Sequence, residues 1–170
     1  VVKSNIDKVW KALDDKNMIV TVQIAPAVRV AIGREFGLPG GEDAIGRVAA
    51  ALRRMNFDKI FDTSTGADLT VLEESKELLG RLGSGESTMP MFTSCCPAWV
   101  NYCEKLQPEL LPHISTCRSP MQMLASVVKE KCECSDKKHF HVAVMPCTAK
   151  KFEAARSEFE VDNDPSVDCV

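Results

Sequence analysis

The chain has 170 residues, a length that suits one domain whose folding removes roughly 70% of the unfolded surface from water. Its 21 basic and 24 acidic residues leave a formal net charge of −3 with no long run of either sign, so it lacks the electrostatic footprint of a nucleic-acid or anionic-membrane binder. No stretch approaches the ~18 apolar residues of a spanning helix, and the start "VVKSNIDKVW" lacks the regions of a signal peptide, which predicts a soluble, cytoplasmic chain.

Along the chain, helical and extended patterns alternate. Ser4 is placed to cap the helix "NIDKVWKALDD", and "MIVTVQI" follows as a buried strand. "APAVRVAIGREFG" then opens at Pro26, suited to a first helical turn, and closes at Gly37, suited to a C-terminal cap. Next come the helix "DAIGRVAAALRRMN", the strand "KIFDT", the helix "ADLTVLEESKELLGRL", the loop "GSGES" and the strand "MPMFTS". Pro97 heads the helix "PAWVNYCEKL". Ser119 caps the helix "SPMQMLASVVKEKC", and the polar turn "ECSDKKH" closes it. The strand "FHVAVMP" runs into Cys147, with the helix "TAKKFEAAR" directly behind it. This order predicts an α/β fold, a mainly parallel sheet with helices on both faces. The missing initiating Met, and an apolar alternation only beginning at "PSVDCV", give the expectation of a piece of a longer chain.

Eight cysteines, all in the second half, carry the chemical signal: 95, 96, 103, 117, 132, 134, 147 and 169. An even number fits disulfides in a secreted chain, but without a leader a metal or redox role is at least as compatible. Zinc asks for C-x(2–4)-C pairs, and Cys132-x-Cys134 is not one. Cys96 and Cys147 both sit where a strand hands over to a helix. In an open α/β sheet such places lie together at the carboxyl edge, where unpaired N–H groups and the helix dipole stabilise thiolates. Sulfur ligation there selects zinc or iron–sulfur chemistry.

The segments "TSCCPAW" (93–99) and "MPCTAKKFE" (145–153) resemble the first two signature segments of the FeFe-hydrogenases, TSCCPxW and MPCxxKxxE, in the same order. The likeness extends over nearly the whole chain and implies that residues 1–170 are the first half of the catalytic domain, ending before a third segment with two further cluster cysteines. It implies that Cys96 and Cys147 ligate the active-site cluster, a 4Fe-4S cubane joined to a diiron subsite carrying CO and cyanide. Ala25, Pro26, Ala27, Met145 and Lys150 would line the subsite, with Lys150, one helical turn beyond Cys147, hydrogen-bonding a cyanide. Cys95, turned away from its neighbour, would be the proton donor and acceptor, a role that suits a thiol with its ordinary pKa of about 8.5. Glu74, Glu77 and Arg81 share one helix face and, with Ser115, would carry protons from water. Glu153 would belong to a second network or brace the site. The resemblance further implies protons and H2 as substrates, ferredoxin or another low-potential electron carrier as partner, and dedicated maturation proteins. Met121 stands where the family's "SPQ" has Gln. Two neighbouring readings are an iron–sulfur assembly or scaffold protein, whose members typically lack the counterpart of Cys95, and an H2-sensing protein.

Overall fold

Alternate residues of "MIVTVQI" are apolar, so the strand they form has one apolar and one polar face. This strand, β1 (Met18–Ile24), is the centre of a three-stranded parallel sheet in the order β2 (Lys59–Asp62), β1, β3 (Lys138–Val144). Thr21 pairs with Lys59 on one side and His141 on the other, and the register continues to Ile24 beside Asp62 and Val144. The computed structural model describes residues 3–84, 88–132 and 137–170. Parts of the expected "GSGES" and "ECSDKKH" loops, and Cys134 with them, lie outside the described residues.

The apolar face carries Val20, Val22, Phe140 and Val142. It is covered by Ala12 from α1 (Ile6–Asp14) and Leu52 from α3 (Ile45–Arg54). On the other face Ala143 packs against Met121 and Ala125 of α6 (Pro120–Lys131), and α4 (Ser64–Ser84) lies along α6. The helix-covered parallel sheet expected from the alternation is therefore present. Between β1 and α3 the chain forms α2 (Pro26–Ala31) and a 3-10 turn ended by Gly37 at φ 76, the left-handed cap expected of it.

Two local expectations differ. The N-cap of α1 is Asn5, and the Ser4 hydroxyl instead accepts from Ile6 N at 3.3 Å. "MPMFTS" forms no named strand: Pro90 lacks a donor, and only Phe92 pairs, in a single parallel bridge with Ile114. At the chain's end, Cys169 makes one parallel bridge with Val142, its carbonyl accepting from Ala143 N at 2.8 Å.

The polar face of the sheet holds a connected set of side chains. Gln23, fully buried, donates from Nε2 to the Met121 carbonyl (3.0 Å) and lies 2.9 Å from His141 Nε2, while its Oε1 accepts from Thr63 (3.0 Å). The Met121 carbonyl and the Thr63 hydroxyl together fix which way the amide points. The amide must therefore donate to His141 Nε2, leaving the proton of His141 on Nδ1, 2.7 Å from the Thr21 hydroxyl. Thr21 in turn donates to His139 Nε2 at 2.7 Å. A second proton on His141 would face the Gln23 amide hydrogens. Burial, then the neighbouring His139 and Lys129, push its pKa down to about 3. The Asp168 carboxylate is engaged elsewhere: its Oδ2 accepts from the His141 backbone N (2.8 Å) and lies 3.6 Å from Lys129 Nζ.

This packing has two measurable consequences. His141 titrates near 6.5 when unfolded and near 3 when folded, so its neutral form supports the fold fully above pH 6.5 and that support is lost progressively as pH falls toward 3. Denaturant unfolding of the full-length protein at pH 7 and pH 5 will show a loss of up to about 1.4 kcal/mol per pH unit from this group, and His141→Gln will flatten the slope. At Gly66, an added Cβ would lie 2.1 Å from the Pro120 carbonyl oxygen and 3.0 Å from Leu124 Cβ. Gly66→Ala will lower stability by about 1–3 kcal/mol despite its better helix propensity, whereas Gly80→Ala, with open space around it, will not.

Candidate active site

The carboxyl ends of β1 and β3 lie side by side, because the ladder continues one step further with Ala25 N donating to the Val144 carbonyl at 3.0 Å. Ala25 is buried there, with Pro26 and Ala27 exposed at the start of α2. Beyond Val144 the half-buried Met145 packs against the α6 side of the sheet, and the exposed Cys147 precedes α7 (Ala149–Ala154). The other cysteine junction is built by α5 (Pro97–Leu106). Cys96 is its N-cap in extended conformation, Pro97 its first residue, and the Cys96 carbonyl accepts from Val100 N at 3.1 Å. Phe92 packs edge-on against Trp99 with centroids 5.7 Å apart, which fixes the approach of the "TSCC" segment to its own helix.

One side chain ties the junctions together. Lys150, on the first turn of α7, donates from Nζ to the Cys95 carbonyl at 2.8 Å and to Glu153 Oε2 at 2.7 Å, while its backbone N bonds the Cys147 carbonyl at 3.2 Å. The two segments therefore meet at one edge of the sheet. Cys95 and Cys96 are both exposed, and Thr93 Oγ1 lies 4.0 Å from the Cys95 sulfur. Among the described residues every cysteine is a free thiol. Cys103 and Cys169 are buried, and burial pushes both thiols up in pKa.

The acidic helix face converges on a second cluster. Glu77 Oε2 accepts from the buried Ser115 hydroxyl (2.8 Å), from Thr116 N (3.0 Å) and from the Cys117 thiol (3.7 Å), while Oε1 accepts from Arg81 at 2.6 Å. Burial raises the Glu77 pKa, but the hydrogen bonds from Ser115, Arg81 and Thr116 outweigh it and hold the carboxyl below its ordinary range. Arg81 also donates to the Ile114 carbonyl (2.9 Å) and, more loosely, to the carbonyls of Thr88, Pro112 and His113. Glu74 is brought near the same place, and its buried Oε1 has no hydrogen-bond partner among the described residues. Thr116, Cys117 and Ser94 have no role assigned from the sequence. Ser94 bonds the Cys117 carbonyl at 2.5 Å and so joins this cluster to the Cys95 segment. Their one sequence signal is adjacency to Ser115 and Cys95. Between the clusters lies a cleft of about 340 Å³, lined by Ser94, Pro97, Ser115, Cys117, Glu153 and Arg156 among others.

Residues 18–170 match the family described as the iron-only hydrogenase large subunit, C-terminal domain. The chain belongs to this family. Within it, the NADP-reducing hydrogenase subunit HndD of Solidesulfovibrio fructosivorans is 44% identical over 172 residues, which cover 96% of this chain and 29% of that subunit. A solved FeFe-hydrogenase structure from Chlamydomonas reinhardtii superposes with a TM-score of 0.90 at 43% identity, over 99% of this chain and 44% of that one. A probable cytosolic Fe-S cluster assembly factor of Aedes aegypti is 36% identical over 99% of this chain and 36% of its own. The hydrogenase-family chain thus spans less than half the length of these relatives.

Removing the Glu77 carboxylate takes the acceptor from the Ser115 hydroxyl and Thr116 N and the counter-charge from Arg81, which keeps its carbonyl contacts. Glu77→Ala in the full-length protein will cost at least about 1–3 kcal/mol in denaturant unfolding at pH 7. Because the folded pKa is depressed below 4.5, the wild-type advantage is complete above that pH and disappears as pH falls through the folded value.

Proposed function

We propose that the full-length protein is an FeFe-hydrogenase catalysing 2H⁺ + 2e⁻ ⇌ H₂, that residues 1–170 are the first half of its catalytic domain, and that it works in the cytoplasm with ferredoxin or another low-potential carrier. The observation that carries the reading is the bond from Lys150 Nζ to the Cys95 carbonyl, which holds both cysteine junctions at one sheet edge.

The donor set fits an iron–sulfur cubane in part. Cys96 and Cys147 are exposed thiols at helix starts, two of the four thiolates a cubane needs. Among the described residues no group of three or more His, Cys, Asp or Glu side chains gathers as a metal site. The buried Cys103 and Cys169 and the Glu77-bound Cys117 do not complete the set. The remaining two thiolates come from the rest of the full-length protein, and maturation proteins supply the diiron subsite with its CO and cyanide. When bound, the cluster supplies electrons at a potential near about −0.4 V, close to the proton/hydrogen couple at neutral pH.

This chain's residues do the remainder. Ala25, Pro26, Ala27 and Met145 line the edge between the strand ends and leave room for close approach. Lys150 has three N–H donors, of which the bonds to the Cys95 carbonyl and Glu153 engage two, and the third would serve a cyanide. Cys95 holds a proton at Sγ in its thiol form and releases it there. Protons reach that thiol by way of Glu77 and Ser115, with Arg81 pairing the Glu77 carboxylate and keeping its own charge, and past Glu74, whose partnerless buried oxygen suits an ordered water. The hydrogen bonds from Ser115, Arg81 and Thr116 lower the Glu77 pKa, so the group rests as a carboxylate and a proton taken up there is passed on rather than stored.

A second reading is an iron–sulfur assembly factor, which the Aedes aegypti relative supports. Cys95→Ser in the matured full-length protein separates the two. The hydrogenase reading expects wild-type iron content and CO and cyanide infrared bands, with H2 turnover down at least about 100-fold. Unchanged turnover removes the Cys95 role. A wild-type protein that fills its iron–sulfur cluster but shows no CO or cyanide bands and no H2 supports the assembly reading.

A further inference from the structure

We infer that Glu153 is a positioning residue: its buried carboxylate fixes the Lys150 ammonium against the Cys95 carbonyl, so that one ion pair on α7 holds the two cysteine junctions in register. The inference concerns the site of the proposed hydrogenase but needs only the chain's own residues. Glu153 is 4% exposed, and its Oε2 lies 2.7 Å from Lys150 Nζ. A carboxylate at that depth is kept only with a cation beside it. The two arginines that line the cleft with Glu153 are engaged elsewhere, Arg156 with Glu104 and Glu158 and Arg118 with the Ser126 hydroxyl, which leaves Lys150 as the cation on Glu153.

The geometry gives the pair work beyond local helix stability. Lys150 has four rotatable side-chain bonds and a strongly hydrated head group that, without an anchor, turns out to water. Glu153, three residues on, supplies the anchor from beneath. It also lines a cleft together with Ser94 and Pro97, the residues that flank Cys95 and Cys96. An ammonium held from below by Glu153 is free to grip a main-chain oxygen of the other junction.

Hydrogen exchange read by mass spectrometry on the full-length apoprotein tests this across the bridge. Glu153→Gln will raise exchange about 10-fold in peptides spanning residues 93–97, which belong to a different segment from the mutation. Lys150→Met will do the same, and the double variant will exceed neither single one, as expected when one residue acts through the other. Exchange raised only within α7, or increases that add in the double variant, overturns the inference. Because removing both charges orphans neither, Lys150→Met/Glu153→Met folds even where Glu153→Gln does not, and wild-type exchange at 93–97 in that pair overturns it too. In the matured protein, Glu153→Gln will shift the cyanide bands as Lys150→Met does. A bridge seen by exchange in a protein without H2 turnover leaves the positioning role standing and removes the hydrogenase reading.

Discussion

A glutamine amide with no access to water organises the molecule. Gln23 sits in the middle strand, and its hydrogen bonds reach β3 through His141, the start of α4 through Thr63 and the first turn of α6 through Met121. An apolar residue there would pack equally well but would specify no partner, whereas an unsatisfied buried amide costs about 1–3 kcal/mol, so each of the three elements has one permitted placement. Once α6 is fixed, Gly66 lets α4 approach the Pro120 carbonyl, and that approach brings Glu77 to Ser115. The acidic cluster is thus a consequence of sheet chemistry at some distance from it.

The site edge itself is made of loops, and two cations hold it. Arg81 gathers carbonyls from 88 and 112–114 around the Glu77 carboxylate; Lys150 joins the Cys95 carbonyl to α7. Both are backbone contacts by a charged head group, stronger than neutral hydrogen bonds and largely indifferent to which side chains the gripped residues carry. The strands set where the cysteine junctions emerge, and the head groups set how the loops lie.

The parallel sheet and its helices were legible because "MIVTVQI", "KIFDT" and "FHVAVMP" are bounded by helical periods and turn residues. The two cysteine junctions were legible from Pro97 at a helix start, from the strand "FHVAVMP" running into Cys147, and from the signature segments. The convergence of Glu77, Arg81 and Ser115 was readable only in part, since helix spacing aligns the first two and says nothing of a residue 38 positions away in sequence. The apolar alternation of "MPMFTS" imitates a strand, while Pro90 and the engagement of Ser94 with the Cys117 carbonyl leave a single bridge. The tautomer of His141 and the close approach at Gly66 have no signature in one dimension. They arise from which side chains the fold brings face to face.

Because Lys150 grips the main chain of residue 95 and not its sulfur, the joint between the two halves of the site does not depend on what that position carries. Another side chain could replace the thiol and leave this contact intact. Architecture and side-chain chemistry are carried here by different atoms of one residue, which fits a chain whose relatives include both a hydrogenase subunit and a probable Fe-S cluster assembly factor.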